Sequence, residues 1–281
     1  MKPHVVKIDS HQHFWTPGRG DHDWMPKDNP ILNRTYLPAD LAPILQGQGI
    51  DGTVLVQAAA TVNETEYMLG LADASGFVRG VVGWVDFENA ADAATLKRLK
   101  GHAKFKGVRP MIQDIPDDAW MLRDDVQWAC KTICDLDLTF DALGFPRHLG
   151  HFLTLLNRYP DMRVVIDHCM KPQICTHSPA SFRHWADGMS RLADTGAHCK
   201  FSALITEANQ GWTTADLKPY VDHVLAAFGP ERVMWGSDWP VCRLRAEYEV
   251  WHNAAQDLTA HLSAQARAQI FGETAQRFYR L

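Results

Sequence analysis

Two histidines separated by one residue, His11 and His13, follow an apolar stretch at residues 5–9. The stretch is typical of a β-strand, in which alternate side chains point to the same side. Both imidazoles are therefore expected to face one spot at the carboxyl end of a first strand. Two neutral imidazoles there form half of a transition-metal site or a polarising pair for a carbonyl oxygen. An isolated pair is more often two solvated loop histidines, so its meaning depends on the rest of the chain.

Two more strand-like stretches end in suitable side chains. One ends at His168, and residues 232–237 form another that is followed by Asp238. An apolar strand that stops at Asp-His is more often functional than not, and a capped loop histidine is the alternative for His168. Alone, Asp238 could be the N-cap of the next helix. Together with His11 and His13 they supply three imidazoles and one carboxylate, a set that suits one Zn²⁺ ion. Asp238 would be either a ligand or the base on the attacking water.

Such a cluster requires a fold in which several strand ends meet. Most strand-like segments of this chain are continuous apolar or β-branched runs, which are typical of strands buried on both faces. The predicted strands are residues 5–9, 53–57, 80–85, 105–110, 138–143, 163–168, 199–204 and 232–237. The predicted helices are residues 38–48, 63–75, 90–99, 124–134, 148–157, 179–195, 214–228 and 246–252, with a last helix at 263–281.

Eight strand-then-helix units predict an α/β fold, a (β/α)₈ TIM barrel that forms a single domain over residues 1–281. A doubly wound sheet usually has a glycine-rich first turn, whereas residues 10–13 carry no GxGxxG pattern. In a barrel the carboxyl ends of all strands face one mouth. The first crossover, residues 14–33, is rich in Pro, Gly and Trp, and we expect it to lie over that mouth.

The composition favours a globular enzyme with a small-molecule substrate. Of the 281 residues, 46% are hydrophobic and 22% are charged, which is ordinary for a soluble protein. A net charge of −5 and the lack of a basic cluster with interleaved aromatics argue against a nucleic-acid partner. No apolar run approaches the roughly 20 residues that span a bilayer, and no signal-peptide pattern precedes the first strand. Six cysteines without a CxxC pair fit reduced thiols, so a cytoplasmic location is expected.

Five motifs lie within or next to predicted strands. They are His11-Gln12-His13-Phe14-Trp15, Lys106-Gly107-Val108-Arg109, Asp167-His168-Cys169-Met170-Lys171-Pro172, Cys199-Lys200-Phe201-Ser202 and Trp235-Gly236-Ser237-Asp238-Trp239-Pro240-Val241-Cys242. Together they resemble the amidohydrolase superfamily, and within it the amidohydrolase-2 branch of sugar lactonases. This resemblance covers essentially the whole chain. It is strongest to the L-fuconolactonases, and the 2-pyrone-4,6-dicarboxylate lactonases are related.

The resemblance implies a barrel enzyme that hydrolyses a sugar lactone, such as L-fuconolactone, to the open-chain sugar acid. His11, His13, His168 and Asp238 match the superfamily's catalytic positions, which are also its metal ligands. One divalent metal, Zn²⁺ above all, is implied, although members of this branch without a metal exist. Asp238 would activate a water, and the metal or the imidazoles would stabilise the oxyanion that forms.

The chain departs from the two-metal members of the superfamily. The predicted strand 138–143 ends without a histidine, and Arg109 stands where a bridging lysine or carboxylate would be needed. One metal at most is therefore expected. After Ser202, Ala203 replaces the glycine that relatives usually have, so the local backbone is expected to differ there.

Seven residues are candidate substrate-binding positions. Arg109 and Lys200 suit recognition of a carbonyl or hydroxyl group, and an ion-pair role inside the barrel would explain them equally well. An indole offers an apolar face and one N–H donor, which suits the C–H face of a sugar ring. The candidate sugar contacts are Trp15, Trp84, Asp141, Lys171 and Trp212.

Two other functions stay open at this point. Metal-dependent decarboxylases of the same superfamily share the three histidines and the aspartate, but act on aromatic or conjugated acids. The polar residues expected at this mouth favour a polyol substrate instead. A non-catalytic barrel that binds sugar acids is expected to lack one of the four residues, and all four are present.

Overall fold

Eight parallel strands lie side by side in chain order across the described residues of the computed structural model, which are 5–22 and 24–281. Residues 1–4 and Asp23 lie outside the described residues. The predicted lack of a signal peptide concerns residues 1–4, and Asp23 belongs to the predicted first crossover. The strands are β1 Ile8–Gln12, β2 Gly52–Val56, β3 Val78–Gly83, β4 Phe105–Val108, β5 Thr139–Ala142, β6 Arg163–Ile166, β7 His198–Phe201 and β8 Val233–Trp235. The predicted (β/α)₈ barrel is confirmed.

Backbone hydrogen bonds just beyond β8 join the last strand to the first. Asp238 N donates to the His11 carbonyl at 2.8 Å, and His13 N donates to the Trp239 carbonyl at 2.7 Å. Gly236 allows this close approach, because a Cβ there would lie 2.7 Å from the Cβ of His11. The seam of the barrel therefore runs through the residues predicted to do the chemistry.

Helices follow the strands and cover the outside of the barrel. They are α1 Pro38–Gln48, α2 Val62–Ala74, α3 Asp92–Lys100, α4 Gln127–Asp135, α5 Leu149–Arg158, α6 Pro179–Ala193, α7 Thr214–Phe228, α8 Tyr248–Leu258, α9 Ala264–Ala268 and α10 Thr274–Tyr279. The predicted end of α8 at residue 252 was wrong, because Ala255 and Leu258 continue its buried face. In the part of the chain that the structure describes, no helix is long and apolar enough to cross a bilayer.

The predicted position of the first strand was three residues too early. Lys7 N donates to the Asp51 carboxylate at 2.8 Å instead of joining the sheet. The strand continues through Asp9, Ser10 and His11, whose polar side chains are fully buried. His11 therefore lies within β1 rather than after it. Polar residues at a barrel mouth do not follow the apolar pattern by which a buried strand is recognised.

The last helical segment differs from the single helix predicted for residues 263–281. A π-helical turn at Gln269–Glu273 separates α9 from α10. Gly272 sits in that turn, with the backbone of Val6 so close that a Cβ would overlap the Val6 carbonyl. Phe278 of α10 then joins an apolar cluster with Val54, Val82, Val165 and Met234 of the strands. The C-terminal helix thus packs against the amino-terminal end of the barrel, away from the mouth.

A histidine at this end is expected to make the free energy of unfolding depend on pH. His198 begins β7, and its ring centroid lies 4.7 Å from that of Phe278. Burial, together with the charges of Arg232 and Arg277, lowers the pKa of His198 to about 4. The unfolded chain takes up the proton near its ordinary pKa of about 6.5. Stability contributed by neutral His198 is therefore lost as the pH falls from about 6.5 toward 4.

The His198→Phe variant keeps the ring contact and removes this titration. Between about pH 7.5 and pH 5, we expect it to lose about 2 kcal/mol less unfolding free energy than the unchanged protein. Urea denaturation at both pH values measures the difference, and His102→Phe, which removes another partly exposed histidine, serves as the control. Equal pH dependence in the His198→Phe variant and the unchanged protein would contradict the assignment.

Candidate active site

The imidazoles of His11, His13 and His168 meet the Asp238 carboxylate at the mouth of the barrel, and each of the four side chains is at most 5% exposed. Asp238 Oδ1 lies 3.2 Å from His13 Nε2 and 3.7 Å from His11 Nε2. It also lies 4.0 Å from His168 Nε2. The imidazole rings of His11 and His13 are also adjacent, with 3.2 Å between their Nε2 atoms.

The backbone that presents these side chains is locally left-handed. His168 has a φ of 54°, and the next three residues through Lys171 also have positive φ. Asp238 has a φ of 57°. Non-glycine residues rarely adopt this region, and they persist there only where the surrounding structure enforces it. The predicted strands 163–168 and 232–237 end early for this reason, because the chain turns sharply to place His168 and Asp238.

Hydrogen bonds at the far side of two rings fix their orientation. His13 Nδ1 donates to the Val56 carbonyl at 2.7 Å, which leaves the Nε2 lone pair of a neutral ring facing Asp238. His168 Nδ1 lies 2.8 Å from Ser202 Oγ. Metal-ligating histidines are commonly held by such a bond from the other nitrogen.

The electrostatics of the cluster keep the imidazoles of His11 and His168 neutral and the Asp238 carboxylate ionised. Burial, reinforced by Lys200, places the pKa of His11 well below its ordinary value, and burial lowers that of His168 to about 3. For Asp238, burial alone would raise the pKa. The neighbouring His168 and His13 outweigh it, so the pKa is lowered. Neutral imidazole and ionised carboxylate are the protonation states that a bound metal requires.

The donor set therefore fits one divalent cation. Ligand atoms of His11, His168 and Asp238 all lie within 4.8 Å of one another, and His13 Nε2 adjoins two of these residues. The lone pairs of His13 and Asp238 converge at 3.2 Å, which calls for a proton or a cation between them. Positive charge from the chain itself also reaches the cluster, because Arg109 Nη1 lies 3.3 Å from His11 Nε2.

A buried network of charges lies directly behind His11. Lys200 Nζ donates to Asp141 Oδ2 at 2.6 Å, and it lies 3.0 Å from His11 Nδ1 and 3.1 Å from Asp167 Oδ1. Tyr279 of α10 donates to the same Asp141 oxygen at 2.7 Å. Burial would raise the pKa of Asp167, but Lys200 and His11 hold it well below its ordinary value. The network fixes the His11 ring from behind.

Another buried carboxylate, that of Asp9, supports the seam and is not among the predicted site residues. Asp9 Oδ1 accepts from Ser237 N at 2.8 Å and from His11 N at 3.1 Å. Tyr248 donates to Asp9 Oδ2 at 3.1 Å. Burial raises the pKa of Asp9 to about 6 despite these bonds. A carboxylate at the end of the apolar stretch at residues 5–9 was the available signal.

A cavity of about 410 Å³ opens onto the cluster, which is large enough for a small sugar derivative. Its walls combine apolar and polar side chains. The lining residues are His13, Trp15, Trp24, Leu32, Ala58, Arg109, Met111, Gln113, Asp114, Leu143, His168, Lys171, Asp238, Val241 and Leu244. Trp15, Trp24 and Leu32 come from the first crossover, so the prediction that residues 14–33 lie over the mouth is confirmed.

A family model described as amidohydrolase matches residues 8–281. The chain belongs to the amidohydrolase family. An L-fucono-1,5-lactonase of Burkholderia ambifaria is 40% identical over 282 residues, which cover 99% of this chain and 96% of that protein. A second L-fucono-1,5-lactonase, from Burkholderia multivorans, is 34% identical, with coverage of 99% and 97%. A crystal structure of a Burkholderia multivorans amidohydrolase with bound Zn has a TM-score of 0.92 at 33% identity, covering 98% of this chain and 99% of that one.

This amidohydrolase brings some of the candidate substrate-binding residues to the cavity and not others. Trp15, Arg109 and Lys171 line it. Asp141 and Lys200 do not, because they are fully buried and paired behind His11. Trp84 follows β3, outside the lining, and Trp212 packs edge-on against Trp251 with ring centroids 6.4 Å apart. For Lys200, the ion-pair role is the one that the structure shows.

Several residues lining the amidohydrolase cavity were missed by the sequence analysis. Trp24 lies in the first crossover, and Met111, Gln113 and Asp114 follow β4. Loop residues have no periodicity from which their direction can be inferred. The only signal for Trp24 was the concentration of tryptophan in a segment expected to cover the mouth.

Proposed function

We propose that this amidohydrolase hydrolyses a sugar lactone to the open-chain sugar acid, with L-fucono-1,5-lactone as the first substrate to test. Full-length similarity to two L-fucono-1,5-lactonases supports the substrate class. The observation that carries the reaction type is Asp238, a buried carboxylate with a lowered pKa at the wall of the cavity. Arg109, Gln113, Asp114 and Lys171 give the cavity hydrogen-bonding groups for a polyol.

The reaction begins with proton transfer from a water molecule to Asp238. The hydroxide that forms attacks the lactone carbonyl carbon, and negative charge develops on the carbonyl oxygen. Arg109 lines the cavity and supplies a guanidinium to this oxygen. Lys200 adds positive charge behind His11, at 3.0 Å from its Nδ1. These groups are fixed before substrate binds, so little reorganisation is needed as the charge forms.

The ester bond breaks in the second step. The carbonyl reforms, the ring oxygen leaves the carbonyl carbon, and Asp238 returns its proton to that oxygen. The products are the carboxylic acid and a free hydroxyl on the same carbon chain. Asp238 performs both transfers, because it lines the cavity and already holds the proton that it took from water.

The four residues of the cluster would also hold one divalent metal, and we propose Zn²⁺. Such an ion, bound by His11, His13, His168 and Asp238, would polarise the carbonyl oxygen and acidify water. A neighbouring structure with bound Zn supports this choice of metal. Metal analysis of the purified protein and of the His168→Ala variant tests it, and equal zinc content in the two proteins would count against the site.

A pH-indicator assay against a panel of aldono-1,5-lactones and aldono-1,4-lactones tests the function. Each substrate is assayed with a chelator and with added Zn²⁺, and aromatic carboxylic acids are assayed for CO₂ release. We expect acid release from at least one 1,5-lactone and no CO₂ release. CO₂ release without hydrolysis of any lactone would overturn the proposal in favour of a decarboxylase.

A further inference from the structure

The first crossover forms a closed loop over the cavity, which we call the cap loop (residues 14–36). Its base is held by two backbone bonds, from Trp15 N to the Tyr36 carbonyl at 3.1 Å and from Tyr36 N to the Trp15 carbonyl at 2.9 Å. Cap-loop residues pack on the segment after β2, where Thr61 Oγ1 donates to Asp21 at 2.9 Å. The loop is therefore attached to the barrel at its middle as well as at its ends.

A buried ionisable pair makes the central attachment. His22 Nε2 lies 2.9 Å from Glu64 Oε1, and both side chains are fully buried. Glu64 also accepts from Ala58 N at 3.0 Å and from Ala59 N at 2.7 Å. A buried carboxylate is costly unless it is satisfied in this way. Glu64 lies on α2 and His22 lies in the cap loop, so the pair joins the loop to the outside of the barrel.

The same attachment fixes a tryptophan at the mouth. Trp24 Nε1 donates to the Ala58 carbonyl at 2.7 Å, and Ala58 N is one of the groups that Glu64 holds. The Trp24 side chain lines the cavity but remains 48% exposed, unusually high for a large apolar residue here. Trp15 differs, because it is fully buried and meets Trp24 only edge-on, with 6.1 Å between ring centroids. Trp24 thus offers a fixed, uncovered aromatic surface to a ligand.

We propose that Trp24 is a specificity-determining wall that packs against the apolar C–H face of the sugar lactone, and that His22 and Glu64 are positioning residues that hold it. This inference rests on the proposed function and names a residue that acts in binding. The indole surface faces a cavity whose other walls carry Arg109 and Gln113, so a ligand with one apolar and one hydroxylated face matches both sides. Packing of this kind is made equally in the ground state and the transition state, so it affects KM more than kcat.

The first experiment compares Trp24→Ala and Trp24→Phe with the unchanged protein on the best lactone of the panel. Loss of the aromatic surface is expected to raise KM by about 10-fold in Trp24→Ala, with kcat changed by less than about 2-fold. Trp24→Phe keeps an aromatic face and is expected to raise KM by only about 2-fold to 3-fold. Calorimetric binding of the corresponding sugar acid gives the same ranking without turnover.

The second experiment addresses the buried pair. His22→Ala removes the donor to Glu64 and is expected to raise KM by about 5-fold at nearly constant kcat. His22→Gln restores an N–H donor and is expected to recover most of the affinity. The matched control is His102→Gln, which removes a surface histidine–carboxylate pair with Asp73 at 3.0 Å and should leave KM unchanged. Melting temperatures show that each variant is folded.

The outcomes separate the inference from the proposed function. Hydrolysis with the same KM in Trp24→Ala as in the unchanged protein would overturn the inference alone. Equal loss of kcat in Trp24→Ala and His22→Ala, with KM unchanged, would overturn it as well. Sugar-acid binding that depends on Trp24, without hydrolysis of any lactone, would keep the inference and remove the proposed function.

Discussion

Asp238→Asn is expected to lower kcat for lactone hydrolysis by about 10³-fold to 10⁴-fold, because the amide cannot accept the proton from water. The substitution preserves the shape of the side chain, so the left-handed turn and the bond from Asp238 N to the His11 carbonyl should persist. KM is expected to stay within about 3-fold, since the residues proposed to bind the sugar line other parts of the cavity.

Steady-state kinetics and thermal unfolding of this variant, measured side by side, check the expectation. Asp86→Asn is the matched control: it removes another carboxylate after a strand end, one that accepts from Glu88 N at 2.9 Å and does not line the cavity. Turnover by Asp238→Asn close to that of the unchanged protein would show that another group activates the water.

Lys200→Met is expected to lower the free energy of unfolding by about 3–5 kcal/mol. The side chain is fully buried, and its ammonium lies 2.6 Å from Asp141 Oδ2 and 3.1 Å from Asp167 Oδ1. Removing one partner of a buried ion pair leaves the other charge without compensation, which is costlier than the pair itself is stabilising. Methionine has a similar length, so packing loss contributes little.

A double variant separates charge from packing. Adding Asp141→Asn to Lys200→Met removes one of the carboxylates left without the Lys200 ammonium, and we expect it to recover about half of the lost stability. Lys218→Met is the control, because Lys218 forms an exposed pair with Asp222 and should cost less than about 0.5 kcal/mol. Urea denaturation measures all four proteins. A Lys200→Met variant as stable as Lys218→Met would show that the buried network does not hold the barrel together.

Much of the site could be predicted from sequence because its parts lie at the ends of recognisable strands. The apolar runs before His168 and Asp238 located both residues, and the barrel topology brought them to His11 and His13. The sequence pattern could not show whether each side chain points to the mouth of the barrel or into its buried interior. Lys200 and Asp141 are one or two positions from predicted strand ends, yet they point into the buried interior and pair with each other. A polar residue near a strand end has the same sequence signature in either position.

In the cap loop, the directions of the side chains could not be predicted from the sequence. Its location over the mouth followed from its place after the first strand, whereas the direction of each side chain depends on tertiary bonds. The bond from Trp24 Nε1 to the Ala58 carbonyl joins residues 34 positions apart, and no local pattern encodes it. The shift of β1 has a related cause, because pairing with Gly52 at Ile8, rather than apolar character, determines where the strand begins.

The seam between β8 and β1 links assembly of the proposed active site to the order in which the chain is synthesised. Its two backbone bonds join His11 and His13 to Asp238 and Trp239. The Asp238 carboxylate contacts His13, which lies 225 positions earlier in the sequence. A nascent chain therefore exposes both histidines long before their partner emerges from the ribosome. With the proposed role of Asp238, lactone hydrolysis would begin only after the last strand has docked, so activity would report ring closure during folding.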